Sequence, residues 1–236
     1  MYPSNGIIRL RLLFALLVCS LLSACSNLPI GEKKVTASDQ QSQDASEGKI
    51  KDNKDVIAKQ AVMNPSAIDP MADIQINSEI KKIYTQVSKL DKKKKFSQAI
   101  GLLNDIEAKY PQLSGPSYQK SRLLLRQDKF DQALEQADLS ISKNTRNYYS
   151  HNLRGVILRS KGDFQGSKKA YIEAINTYPN YPNSYLNLGV LADLYLRDLP
   201  LALTHYRNYM KLTGNQDKKV KNWIIEIQRR IQLEKK

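Results

Sequence analysis

The chain has 236 residues and a formal net charge of +14, from 37 Lys+Arg against 23 Asp+Glu. That length holds one ordinary domain with appendages, or two small ones. The two cysteines, Cys19 and Cys25, lie near the start, which excludes a disulfide or cysteine–metal framework for the rest, so the body must hold by packing.

At the N-terminus Arg9 and Arg11 precede an uncharged run from Leu12 to Ala24, "LLFALLVCSLLSA". At about 1.5 Å per residue this run is too short to span a bilayer, where about 20 residues are needed, and it reads as the apolar region of a signal peptide. Its end, "LSAC" from Leu22 to Cys25, resembles the lipobox of bacterial lipoprotein signal peptides. The resemblance implies cleavage after Ala24, a diacylglyceryl group on the Cys25 thiol and a palmitate-type acylated first residue. Two or more acyl chains anchor stably where one binds marginally. In enteric-type lipoproteins Ser26 after the cysteine favours the outer membrane, with the body facing the periplasm. The competing reading is an ordinary secretory peptide with a coincidental cysteine.

Residues 25–73 read as a lipidated N-terminus and disordered linker, rich in Ser, Asp, Gln, Lys and Asn and without an aromatic residue. Such a stretch cannot bury enough surface to offset its ordering entropy, and as a flexible tether it reaches roughly 40 Å. From Cys25 to Glu79 there are 6 basic and 9 acidic residues; from Ile80 onward there are 29 and 14. The basic character therefore belongs to the body and predisposes it to anionic partners.

Residues 74–215 are self-similar, with segments starting near Ile80, Ser114, Tyr148 and Pro182 at a period of 34. Phe96, Phe130 and Phe164 recur at that spacing, each followed three residues later by Ala99, Ala133 or Ser167. Phe130, Ala133, Leu134, Ala137 and Ile141 form one face of a 3.6-residue period, so each segment predicts two helices. Gly162 ends a first helix in the left-handed conformation and Asp163 caps the next.

These columns resemble the tetratricopeptide repeat. The third unit carries it best, in Gly155, Gly162, Phe164, Tyr171, Ala174 and Pro179. The fourth matches at Tyr185, Leu188 and Gly189, then needs one extra residue before Ala202 and Tyr206. Val87 and Ser121 replace the first-helix glycine in the first two units. The expected fold is an all-α, tetratricopeptide-type helical solenoid: four helix-turn-helix repeats and a C-terminal capping helix over 216–236, behind the signal peptide and flexible linker. The cap carries Val220, Trp223, Ile224, Ile227 and Ile231 on one stripe and Lys218, Lys221, Arg229 and Arg230 on the other face; a solenoid end needs such a cover.

No catalytic constellation, phosphate loop or metal-ligand spacing stands out, so neither catalysis, cofactor nor metal is expected. His151 reads as packing, and His205 sits beside Tyr206. The run "DKKKKF", Asp91 to Phe96, reads as a solvated turn. Nucleic acid suits the charge but not a secreted compartment.

The family resemblance implies a partner-binding groove along the first helices: Tyr84, Ser88, Tyr118, Arg122, Arg126, Tyr149, Asn152, Val156, Arg159, Asn187 and Val190. It further implies an adaptor that binds a protein segment, a peptide or helix, in assembling or regulating an envelope machine such as a pilus/secretin, TonB-type or cell-wall synthesis complex. The alternative is direct binding of anionic peptidoglycan or lipopolysaccharide through the basic surface. Oligomeric state is left open.

Overall fold

The computed structural model describes Ile76 and residues 78–234. The expected signal peptide, Cys25 and the linker to residue 73 lie outside the described residues. Nine α-helices follow in chain order among the described residues: α1 Ser78–Lys92, α2 Phe96–Lys109, α3 Gly115–Leu125, α4 Phe130–Lys143, α5 Tyr148–Ser160, α6 Phe164–Thr177, α7 Pro182–Leu191, α8 Leu199–Leu212 and α9 Lys218–Leu233. They pack as antiparallel pairs, α1 on α2, α3 on α4, α5 on α6 and α7 on α8, each pair stacking on the next and α9 closing on α8.

The repeating columns set this register. Phe96, Phe130, Phe164 and Leu199 each open a second helix. Three residues on, Ala99, Ala133, Ser167 and Ala202 are fully buried, where the paired helices approach most closely. Two of the hydroxyls that stand at such contacts bridge the pair, Ser121 donating to the Ala133 carbonyl at 2.7 Å and Ser167 to the Gly155 carbonyl at 2.8 Å.

The turn inside each pair also keeps its shape from repeat to repeat. Lys94, Asp128, Gly162 and Arg197 adopt positive φ, at 57°, 56°, 84° and 54°. Their spacing is 34, 34 and then 35 residues. The extra residue of the fourth repeat is absorbed by a π-helical turn, Ala192–Leu196, that continues α7. Only one of the four positions holds glycine, although the left-handed region costs other residues about 1 kcal/mol.

The residue after each of these turns is the N-cap of the second helix. Asp163 accepts from the Gly166 amide at 2.8 Å and Asp198 from the Leu201 amide at 3.0 Å. Lys95 and Lys129, in the same place before α2 and α4, make no capping bond with their side groups. Replacing Lys94 by Gly together with Lys95 by Asp should therefore stabilise the first repeat by about 1.5 kcal/mol, most of it from the cap. A rise in melting temperature of the double variant checks it.

Apparent looseness in the first two repeats is compensated across the helix pair. A Cβ on Gly155 would lie 2.5 Å from two ring carbons of Tyr171, and one on Gly189 would lie 2.6 Å from Tyr206. One period earlier the facing residues are Ser121 with Ala137, and one before that Val87 with Leu103. A large second-helix ring thus goes with glycine, and a smaller partner goes with a larger first-helix residue.

Glu107 on α2 ties three helices together. Its carboxylate accepts from Ser117 at 2.9 Å and pairs with Lys120, both on α3, and with Lys143 on α4. Burial raises its pKa, but the hydrogen bonds from Lys120, Lys143 and Ser117 outweigh it and lower the value from 4.5 to about 2. Because the folded pKa lies below the unfolded one, this stabilisation is complete above pH 4.5 and is lost as pH falls through that value toward 2. After allowance for solvent screening it is worth about 1–2 kcal/mol. Melting temperatures at pH 6 and pH 3 should differ less in Glu107→Gln than in the wild type.

At the C-terminal end Val220, Trp223 and Ile227 of α9 are buried, with Ile224 and Ile231 partly so. The Trp223 ring lies 5.4 Å from Tyr206, as a cap anchor would. Arg230, expected on the polar face, instead turns inward and its Nη1 donates to Asp193 at 2.9 Å. A buried carboxylate outweighs the outward preference of one arginine. His151, expected in the packing, is only half-buried and ties its loop through Nε2 to the Thr145 carbonyl at 2.9 Å.

Candidate functional site

Successive first helices touch one another directly, α3 on α5 and α5 on α7, whereas successive second helices make at most marginal contact. The first helices therefore form the tighter, inner row of the curve. Burial agrees: α3, α5 and α7 bury most of their residues, while α4, α6 and α8 bury three to five each.

The structure places the expected groove columns on this inner row but unequally. Tyr84, Val156 and Val190 sit within core clusters. Ser88 is half-buried and Arg126 is exposed. Tyr118, Arg122, Tyr149, Asn152, Arg159 and Asn187 are buried, forming a closely packed floor with few exposed atoms.

Three groupings emerge from that floor. The first is aromatic. Tyr118 of α3 and Tyr149 of α5 lie 6.0 Å apart, and Tyr149 continues to Tyr148 at 4.2 Å and to Tyr181 at 5.1 Å. Tyr178, which is exposed, stacks on Tyr148 at 4.6 Å. Burial raises the pKa of Tyr118, Tyr148 and Tyr181, so these rings stay neutral hydrogen-bonding groups. Tyr148, Tyr178 and Tyr181 are members that sequence reasoning missed. The available signal was "YPNYPN", Tyr178 to Asn183, where two tyrosines flank the turn into α7.

The second grouping is an amide pair: Asn187 of α7 donates from Nδ2 to Oδ1 of Asn152 on α5 at 3.0 Å. The third is ionic. Asp91 at the end of α1 pairs with Arg126, and its other oxygen lies 3.9 Å from Arg122, whose Nη1 donates to Gln119. Arg126 also lies over the Phe96 ring, 5.5 Å from its centroid. Arg159 lies over Tyr195, 5.9 Å from the ring centroid.

Elsewhere, Lys92, Lys93, Lys94 and Lys95 are all exposed on the turn between α1 and α2. Among the described residues no group of three or more His, Cys, Asp or Glu side chains could hold a metal ion, and no helix is long and apolar enough to cross a membrane.

Helix pairs in a 34-residue register, with first helices inside and a final helix over the open end, make this a helical solenoid of the tetratricopeptide-repeat type. The structure is similar to that of a thermophilic tetratricopeptide-repeat protein of Thermus thermophilus, at 18% identity and a TM-score of 0.55, over 64% of this chain and 81% of that one. It is also similar to MamA of Desulfovibrio magneticus RS-1, residues 41 to the end, at 18% identity and a TM-score of 0.50, over 60% of this chain and 78% of that one. A further MamA structure aligns at 14% identity and a TM-score of 0.51, over 64% of this chain and 87% of that one. No family model and no curated relative matches the sequence.

Proposed function

We propose that this protein is a non-enzymatic adaptor that binds a segment of a protein partner along the inner row α1, α3, α5 and α7. In this reading it is tethered through lipid on Cys25 to the outer membrane, faces the periplasm and serves the assembly or regulation of an envelope machine. The observation that carries the binding role is the linked tyrosine array from Tyr118 through Tyr149 to Tyr181. Rigid rings with hydroxyl tips, held against one another, offer apolar area and hydrogen bonds at little entropic cost. The paired amides of Asn152 and Asn187 add donors and acceptors suited to a peptide backbone. The anchor rests on "LSAC" alone.

A photo-crosslinking residue at Ser88 or Tyr149, with a control at Ile172 on α6, tests the reading in the native host. A discrete protein adduct from the inner positions and none from the control is expected. Equal capture from all three would overturn it.

The four exposed lysines of the α1–α2 turn favour a second reading, direct binding of anionic wall polymer or lipopolysaccharide. Such binding would fall steeply as salt shortens the screening length and would be lost on neutralising Lys92–Lys95. Binding along the inner row would survive both.

A further inference from the structure

The same position of the first helix carries aspartate in the first and fourth repeats: Asp91 and Asp193 lie three 34-residue periods apart. Both side chains are almost fully buried, at 8% and 3% exposure. Each is met by a half-exposed arginine from a following element, Arg126 on α3 and Arg230 on α9. Each also has a second arginine beside it. Arg122 reaches Asp91 only at 3.9 Å. Arg159 and Asp193 both act on the Tyr206 hydroxyl, and Arg159 stacks on Tyr195, two residues beyond Asp193. Each end of the inner row thus holds two guanidinium groups and one carboxylate, a surplus of one positive charge.

These surplus arginines are poorly satisfied. Arg122 is 9% exposed and Arg159 8%. The buried Nε of Arg122 and the buried Nη1 of Arg159 have no hydrogen-bond partner. Arg159 has no carboxylate within 4.0 Å among the described residues. Buried arginine normally costs several kcal/mol unless paired and hydrogen-bonded. The repeat between shows that the fold does not require these charges. One period after Asp91, Arg122 and Arg126 stand Leu125, Val156 and Ser160.

We propose that the inner row reads carboxylates of its partner, one at Arg122 and one at Arg159, so that the bound segment is acidic toward both ends of the solenoid. This rests on the inner row being the binding face. An arriving carboxylate supplies the missing acceptor and the missing counter-charge together, and the forked guanidinium, on a long rotatable stem, turns to meet it bidentately. The carboxylate belongs to an Asp or Glu residue, or to a free C-terminus.

The test presents the full-length protein with random 12-residue peptides, displayed once with the C-terminus fused to the carrier and once with it exposed. Enrichment of Asp and Glu in the fused format points to carboxylates of those residues; selection only in the second format points to a C-terminus. The best peptide is then synthesised beside its Gln or C-terminal amide counterpart. Its affinity should drop by about tenfold in Arg122→Gln or Arg159→Gln, and drop less in Arg159→Lys. The melting temperatures of both glutamine variants should equal or exceed that of the wild type.

Selected peptides without acidic enrichment, or with enrichment that both glutamine variants retain, overturn the carboxylate inference and leave the inner row as the binding face. A lower melting temperature in the glutamine variants marks the guanidiniums as structural and also overturns it. Failure to select any peptide in either format overturns the inner-row reading itself.

Discussion

Gly155→Ala should destabilise the protein by about 2 kcal/mol, although alanine is the better helix former. The added Cβ would sit 2.5 Å from Tyr171 ring carbons, more than 1 Å inside ordinary contact, and the ring has no exposed surface toward which to retreat. Overpacking of that kind costs about 3 kcal/mol, against about 1 kcal/mol regained in helix propensity. The same change at Gly101, on the exposed side of α2, meets nothing within 4 Å and should instead stabilise by up to about 1 kcal/mol. Opposite shifts of melting temperature for one substitution type would isolate the packing effect. The first repeat supplies a further control, since its Val87 faces Leu103. In a Tyr171→Leu background, Gly155→Val should cost far less than alone, and a double-mutant cycle in urea measures that coupling.

The parts of this architecture that were legible in the sequence depend on one column at a time. Phe96, Phe130 and Phe164 marked the starts of the second helices because an aromatic followed by a small residue three positions later is a local pattern. Gly162 and Asp163 gave a turn and a cap for the same reason. Compensation between columns was not legible: Val87 and Ser121 looked like departures until Leu103 and Ala137 were seen facing them. The extra residue of the fourth repeat was visible as a count, but its location in the turn Ala192–Leu196 was not. A π-turn is specified by where the backbone must resume its register, not by a residue type.

The candidate site divides similarly. Tyr118 and Tyr149 were expected on the inner row, and they meet. Tyr178 and Tyr181 joined them from a loop whose path the period does not specify. Arg230 was assigned to solvent because its own helix places it beside Arg229. Its partner Asp193 lies 37 residues earlier, in another repeat and another column. Ion pairs of that kind are set by the stacking of elements, which a single-helix pattern does not contain.

Asp91→Leu should be the more damaging change, costing about 3–4 kcal/mol. The aspartate is nearly buried and is the only carboxylate among the described residues that pairs with Arg122 and Arg126. Without it Arg126, being exposed, turns to water, but Arg122 stays in the packed floor with its charge uncompensated. Breaking a buried pair from one side is expensive for that reason, whereas replacing every member by apolar or small residues is often neutral or favourable. The protein holds the replacement already. Leu125, Val156 and Ser160 occupy the equivalent positions one repeat later. Asp91→Leu combined with Arg122→Val and Arg126→Ser should therefore recover most of the lost stability, measured by denaturant unfolding of the single and triple variants. Recovery would mean that the charges at this end of the solenoid are not needed for folding, and that their retention must be accounted for by what binds there. A triple variant as unstable as the single one would mean that the ionic cluster fixes how the first repeat sits on the second.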